Sequence, residues 1–315
     1  MKIVILEAAT MTPGGISLDI FKEFGEVAEY HMTKQSEVIE RIGDAEIVLL
    51  NKLVIDKFVI DSCKNLKYIG LFATGYNTID VEYATSRGIT VSNAGPYSTN
   101  AVAQHTFALI LNHFNQISNY NRIVQEGAWE KSIAHTLYDF PTDELYGKTI
   151  GIVGFGSIGQ RVTEIAKAFS MRVIVYTRTP KDYPEVEFVS FDELLAQSDV
   201  ISLHCPLTEQ SHLMMNKDSF AKCKKGAFLV NTARGGLIDE PALRDAVLSG
   251  KLSGAGVDAI TIEPMKNCVL KGVENITITP HSAWAPVSTR MKLCQIVFDC
   301  IKAWLDGNPI NVITK

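Results

Sequence analysis

The run Gly154-Phe155-Gly156-Ser157-Ile158-Gly159 has the glycine spacing that lets a backbone cradle a pyrophosphate. Gly154 permits the tight turn, Gly156 lets the main chain approach the anion, and Gly159 lets a helix pack closely on the preceding strand. An apolar strand at 150–153 leads into the run and a helix at 160–169 leaves it, so free N–H groups at the helix start face the phosphates. This strand–turn–helix order, with another strand from Arg172, separates the motif from an incidental glycine-rich loop.

The second strand, 172–176, ends in Thr177-Arg178-Thr179. Chains that bind NAD commonly place a carboxylate there for the ribose diol. An arginine between two hydroxyls instead suits a 2′-phosphate, which favours NADP(H) while leaving NAD(H) possible. Three further residues fall just beyond later strands: Arg234 after 227–230, Glu263 five positions past Asp258, and His281 after 276–278. Residues following parallel strands share one sheet edge, so these three converge beside the dinucleotide despite their separation in sequence. His105 and His113, eight apart on an apolar helix, read as structural. His204 and Cys205 are adjacent and lack further ligands at metal spacing, so no metal is expected.

The elements that position these groups alternate between strand and helix almost throughout, the rhythm of parallel α/β sheets. In the first hundred residues, strands are expected at 2–6, 28–31, 47–51, 68–72 and 90–91, with helical stretches such as 17–24 and 36–42. A turn-rich stretch, 93–100, precedes a helix expected over 101–117, apolar on nearly every side and therefore expected to be buried, between domains or subunits. After a polar, aromatic stretch at 127–146, a second series of six strands follows at 149–153, 172–176, 200–204, 227–231, 254–258 and 275–279. A last helix, 286–305, returns to the first domain. The expectation is an α/β protein with a substrate-binding domain of residues 1–100 and 286–315 and a Rossmann-type dinucleotide-binding domain of 101–285. The crossings near 95–100 and 284–287 would serve as a hinge that closes water out of the cleft.

At 315 residues, 46% hydrophobic and 21% charged, the chain can bury two cores. Its net charge of -5, with no basic cluster, argues against nucleic-acid and acidic-membrane partners. The opening MKIVILE is too short for a signal-peptide core, and no apolar run reaches the roughly eighteen residues of a membrane span. The six cysteines include no Cys-x-x-Cys pair and read as reduced thiols of a cytoplasmic enzyme.

The segments GFGSIGQ, SLHCPLT, NTARGGLIDE, GAGVDAITIEP and TPHSAWA, in this order, resemble the D-isomer-specific 2-hydroxy acid dehydrogenase family. The likeness covers essentially the full chain, including Phe72-Ala-Thr-Gly-Tyr-Asn-Thr-Ile-Asp80, and implies a flavodoxin-like first domain. It implies that His281 gives a proton to the substrate carbonyl, that Glu263 pairs with His281 and favours its imidazolium, and that Arg234 grips the substrate carboxylate. Backbone N–H groups at Thr74, Gly75 and Tyr76 would hold that carboxylate from the first domain. Asp258 would contact the nicotinamide carboxamide, and Thr232, Ala233, His204, Cys205 and Pro206 would line the cofactor. A homodimer is implied, with residues 100–146 in the contact.

Ala283-Trp284-Ala285, with Trp284 at the substrate, is most similar to members that act as glycerate dehydrogenase or hydroxypyruvate reductase. The short remainder after His281 leaves no room for the regulatory domain of many phosphoglycerate dehydrogenases, and Glu263 differs from the glutamine of formate dehydrogenases. Hydroxypyruvate or glyoxylate reduction is the expected activity. D-lactate or D-3-phosphoglycerate chemistry, and a non-enzymatic dinucleotide-sensing corepressor, are the alternatives. L-specific enzymes place their glycine turn near the N-terminus rather than at Gly154.

Overall fold

Strands rich in Val, Ile and Leu with no polar alternation must be covered on both faces, which is the condition of a parallel sheet between helices. The computed structural model describes residues 1–179, 183 and 186–313 and divides them into two units, Met1–Ser98 with Ala285–Lys315, and Thr99–Trp284. In the first unit, β1 (Lys2–Ile5), β2 (Glu26–Glu29), β3 (Ile47–Leu50), β4 (Tyr68–Leu71) and β5 (Thr90–Ser92) form a parallel sheet of order β2-β1-β3-β4-β5. That order is flavodoxin-like. Helices α1 (Val38–Ile42), α2 (Lys57–Ser62) and α3 (Val81–Ser86) connect these strands, α2 and α3 capped by the Asp56 and Asp80 carboxylates.

The second unit opens with α4 (Thr99–Asn115) and α5 (Ile117–Gln125). Its seven strands are β6 (Thr149–Val153), β7 (Arg172–Tyr176), β8 (Glu187–Phe188), β9 (Val200–Leu203), β10 (Ala227–Asn231), β11 (Leu252–Val257) and β12 (Ile276–Ile278). They lie in the order β12-β11-β10-β9-β6-β7-β8, all parallel. Helices α6 (Ser157–Ala168), α7 (Phe191–Gln197), α8 (Lys217–Lys222) and α9 (Glu240–Leu248) cover the sheet. Strand order reverses between β6 and β9, and the crevice beyond such a switch point is where open α/β sheets bind ligands. The last helix, α10 (Val287–Leu305), belongs to the first unit and sets Trp304 4.9 Å from the Tyr68 ring.

Three sequence expectations are corrected. The second sheet has seven strands rather than six, because the two-residue β8 is too short to leave a hydrophobic pattern. The apolar helix ends at Asn115, because Gln116 takes a left-handed φ of 54° before α5 begins at Ile117. The helical stretch at 17–24 is only a 3-10 turn, Asp19–Phe24, broken by Gly25 at φ 146°.

Burial of α4 has a cause within its own unit. Val102, Ala103, Thr106, Phe107, Leu109 and Ile110 are buried, and a Cβ on Gly256 of β11 would come within 2.9 Å of Leu109. Small residues on β11 thus let the helix lie close on the sheet.

Candidate active site

At the C-terminal end of β6 the three glycines meet three different demands. Gly154 has φ 97°, and a Cβ there would stand 2.7 Å from the Cys205 amide nitrogen at the end of β9. A Cβ on Gly159 would be 2.2 Å from the Gly154 carbonyl oxygen, so only glycine permits this approach of α6. A Cβ on Gly156 would meet nothing within 4 Å, which leaves the backbone open on the side where α6 begins. No acidic residue lies in the first turn of α6, and its N–H groups are suited to an anion. These residues fit the pyrophosphate of a dinucleotide.

Around this turn the cofactor candidates occupy strand ends. Thr177, Arg178 and Thr179 follow β7, with the exposed Arg178 guanidinium donating to Gln210 Oε1. His204 follows β9; its Nε2 lies 2.7 Å from Ser202 Oγ, and burial pushes its imidazole down to about 3, so it stays neutral. Burial also raises the neighbouring Cys205 thiol, which lies 3.7 Å from Met214 Sδ, and Pro206 is exposed. Thr232 Oγ1 is 3.0 Å from Thr106 Oγ1 of α4.

Beyond β10 the turn is folded by Asn231, which is fully buried. Its Oδ1 accepts from Ala233 N at 3.0 Å and its Nδ2 donates to Arg234 O at 2.9 Å. The exposed Arg234 side chain donates to Ala233 O at 2.8 Å. Its neighbour Gly235 packs so tightly that a Cβ would lie 2.0 Å from the carbonyl carbon of Ile260, which sets the Arg234 turn against the loop carrying Glu263.

Glu263 Oε1 accepts from Ile260 N at 3.1 Å, and its Oε2 lies 2.6 Å from His281 Nδ1. His281 adopts φ 53° on a turn whose centre is Asp258, 2% exposed. Asp258 Oδ1 accepts from Thr279 Oγ1 at 2.5 Å and Ser282 N at 2.9 Å, and Oδ2 accepts from Ala283 N at 2.9 Å. These donors occupy most of the carboxylate's acceptor sites. Trp284 is half-buried and closes the segment.

The structure therefore joins His281, Glu263 and Asp258 directly and brings the Arg234 turn against the Glu263 loop. Thr74, Gly75 and Tyr76 belong to the first unit, beyond β4. There Asn93 Nδ2 donates to Thr74 O at 2.7 Å and Thr74 Oγ1 donates to Gly95 O. Asn231, Thr279 and Gln210 are partners that the sequence did not single out. Among the described residues no group of three His, Cys, Asp or Glu could hold a metal, and no helix is long and apolar enough to cross a membrane.

A dinucleotide cradle at a switch point, with a histidine–carboxylate couple on the same sheet edge, defines an oxidoreductase that uses a nicotinamide cofactor. The NAD binding domain of the D-isomer specific 2-hydroxyacid dehydrogenases matches residues 107–283, and the chain belongs to that family, whose members act on CH–OH groups. It is 41% identical to a hydroxypyruvate reductase of Blautia hydrogenotrophica over the whole of both chains. It is 38% identical to a glyoxylate reductase of Pyrococcus furiosus, covering 89% of this chain and 86% of the relative. Among solved structures, an acyclic imino acid reductase in complex with NADPH and D-Arg superposes with a TM-score of 0.88 at 32% identity, covering 99% of this chain and 100% of the other. The protein is an NAD(P)-linked 2-hydroxyacid dehydrogenase.

Proposed function

We propose that the protein reduces hydroxypyruvate or glyoxylate to the 2-hydroxy acid, with NADPH preferred to NADH. The observation that carries the mechanism is the 2.6 Å contact between His281 Nδ1 and Glu263 Oε2 on the sheet edge that also holds the glycine turn. Glu263 accepts a hydrogen bond from Nδ1–H, which stays on the ring, and so orients the imidazole with Nε2 toward substrate. When bound, a reduced nicotinamide would supply hydride to the carbonyl carbon. His281 Nε2–H gives its proton to the carbonyl oxygen, and the C=O bond becomes CH–OH. Arg234 swings from Ala233 O to hold the substrate carboxylate with its fork of donors. Asp258 keeps one acceptor site on Oδ2 for the nicotinamide carboxamide, while Thr232, Ala233, His204, Cys205 and Pro206 line the cofactor.

The substrate-binding part is residues 1–100 with 286–315, and its backbone at Thr74–Tyr76 takes the carboxylate, because that loop is pinned beyond a parallel strand. The NADPH preference rests on Arg178, held by Gln210 where a 2′-phosphate would need a cation. A homodimer is favoured by the exposed apolar residues Ile117, Trp129, Ile133, Tyr138 and Tyr146. The cytoplasm is favoured by six unpaired cysteines.

The test is the loss of reduced-nicotinamide absorbance with NADPH and NADH separately, against hydroxypyruvate, glyoxylate, pyruvate and 3-phosphohydroxypyruvate. Fastest turnover of hydroxypyruvate or glyoxylate supports the reading. Fastest turnover of either other acid replaces the substrate assignment, and binding of cofactor without turnover of any acid replaces the enzyme by a dinucleotide sensor.

A further inference from the structure

His105 stands on α4, more than 170 positions from His281, yet it touches the groups that shape the His281 turn. Its Nε2 is 2.9 Å from Thr279 Oγ1 and 3.5 Å from Asp258 Oδ1. Counting protons fixes the direction of these bonds. The Asp258 carboxylate can only accept, so the single hydroxyl proton of Thr279 goes to it at 2.5 Å. Thr279 Oγ1 can then only accept from His105, which must carry its proton on Nε2.

The Thr279–Asp258 couple in turn brackets the proton donor. The His281 N–H is shared between Asp258 O at 2.9 Å and Thr279 O at 3.0 Å. On the other side of His281, the N–H groups of Ser282 and Ala283 are bound by the Asp258 carboxylate. A histidine at φ 53° is held in a conformation that L residues rarely take, so it persists only where neighbours over-determine it. The bracket is that over-determination, and it is what aims the ring at Glu263.

We propose that His105 is a positioning residue for His281, acting through Thr279 and Asp258 to keep the imidazole on Glu263 and ready to protonate substrate. The assignment of that proton transfer rests on the function proposed above, while the coupling between the two histidines does not.

Three variants, His105→Leu, His105→Gln and Thr279→Val, test this in the full-length protein. kcat, KM for each substrate, the urea midpoint and the NMR signal of the His281 ring in isotope-labelled protein are read for each. His105→Leu should lower kcat roughly ten- to a hundred-fold, with KM for cofactor and the urea midpoint near wild type and the His281 ring signal displaced. His105→Gln, whose amide N–H can reach the place of Nε2, should recover most of the rate and return the signal. Thr279→Val keeps the side-chain shape but removes both the His105 link and the bond to Asp258, so the double variant with His105→Leu should be no worse than Thr279→Val alone.

A wild-type kcat and an unmoved ring signal in His105→Leu would overturn the proposal, as would losses that add in the double variant. Should His105→Leu fail to fold, Thr279→Val and His105→Gln decide by the same rate and signal. A wild-type protein that turns over no 2-oxo acid, but whose His281 signal still answers to His105, would overturn the functional reading and uphold the coupling.

Discussion

The two histidines of α4 sit at opposite ends of one sheet and do different work. His105 reaches the C-terminal edge, where Thr279, Asp258 and His281 gather. His113 lies two turns further on, at the N-terminal edge, stacked 4.2 Å from Phe228 with Nε2 3.0 Å from Ser253 Oγ. Burial pushes the His113 imidazole down to about 4, and it faces no group of the site. In a parallel sheet the strands deliver their C-terminal ends to the ligand and their N-terminal ends to packing. A helix lying along the strands therefore carries function at one end and stability at the other, although its residue types look alike.

Substitutions can break that contrast. His281→Ala should have the largest effect, lowering kcat by about 10²- to 10⁴-fold while cofactor KM and the urea midpoint stay near wild type. Near-normal turnover would remove His281 as the proton donor. Asp258→Ala should come next and cross the divide, costing about 3 kcal/mol or more in urea unfolding because three donors lose a buried carboxylate, and lowering kcat as well. Loss of stability with kcat intact would show that the edge is packing rather than machinery.

At the other end, His113 should reveal itself only through stability against pH. Its folded-state pKa, about 4, lies below the ordinary 6.5, so between these values the unfolded chain binds a proton that the native one refuses. The stability that depends on this neutrality is complete above about pH 6.5, falls as pH drops toward 4, and amounts to up to about 3 kcal/mol. His113→Phe should flatten that fall in chemical denaturation while leaving kcat within about twofold of wild type. Arg178→Ala should have the smallest effect, raising KM roughly tenfold for NADPH and hardly at all for NADH in paired assays.

Much of this edge was legible in the sequence because its residues are defined by position. Gly154, Gly156 and Gly159 each answer a separate steric demand, and Arg234, Glu263 and His281 each follow a strand, so topology alone predicts their convergence. Thr279, Asn231 and Gln210 were not legible, since a hydroxyl or amide near a strand end leaves no periodic signal. The role of His105 was hidden for another reason. Eight residues along a helix amount to about 12 Å, enough to reach opposite edges of a sheet, but the sequence does not say which edge each histidine faces. The short β8 escaped because two residues cannot show a pattern.

The first unit is assembled from both ends of the chain, which matters during synthesis. Leu293, Val297 and Ile301 of α10 are buried, a Cβ on Gly70 of β4 would be 3.6 Å from Val297, and Ile313 N bonds Val91 O at 2.9 Å. Translation runs from the N-terminus, so all of Thr99–Trp284 leaves the ribosome before the segment that covers β4 exists. The inserted unit, contiguous in sequence, can fold as it emerges. The unit that precedes it must wait with an apolar sheet face uncovered, a vulnerable interval in which a chaperone has something to hold.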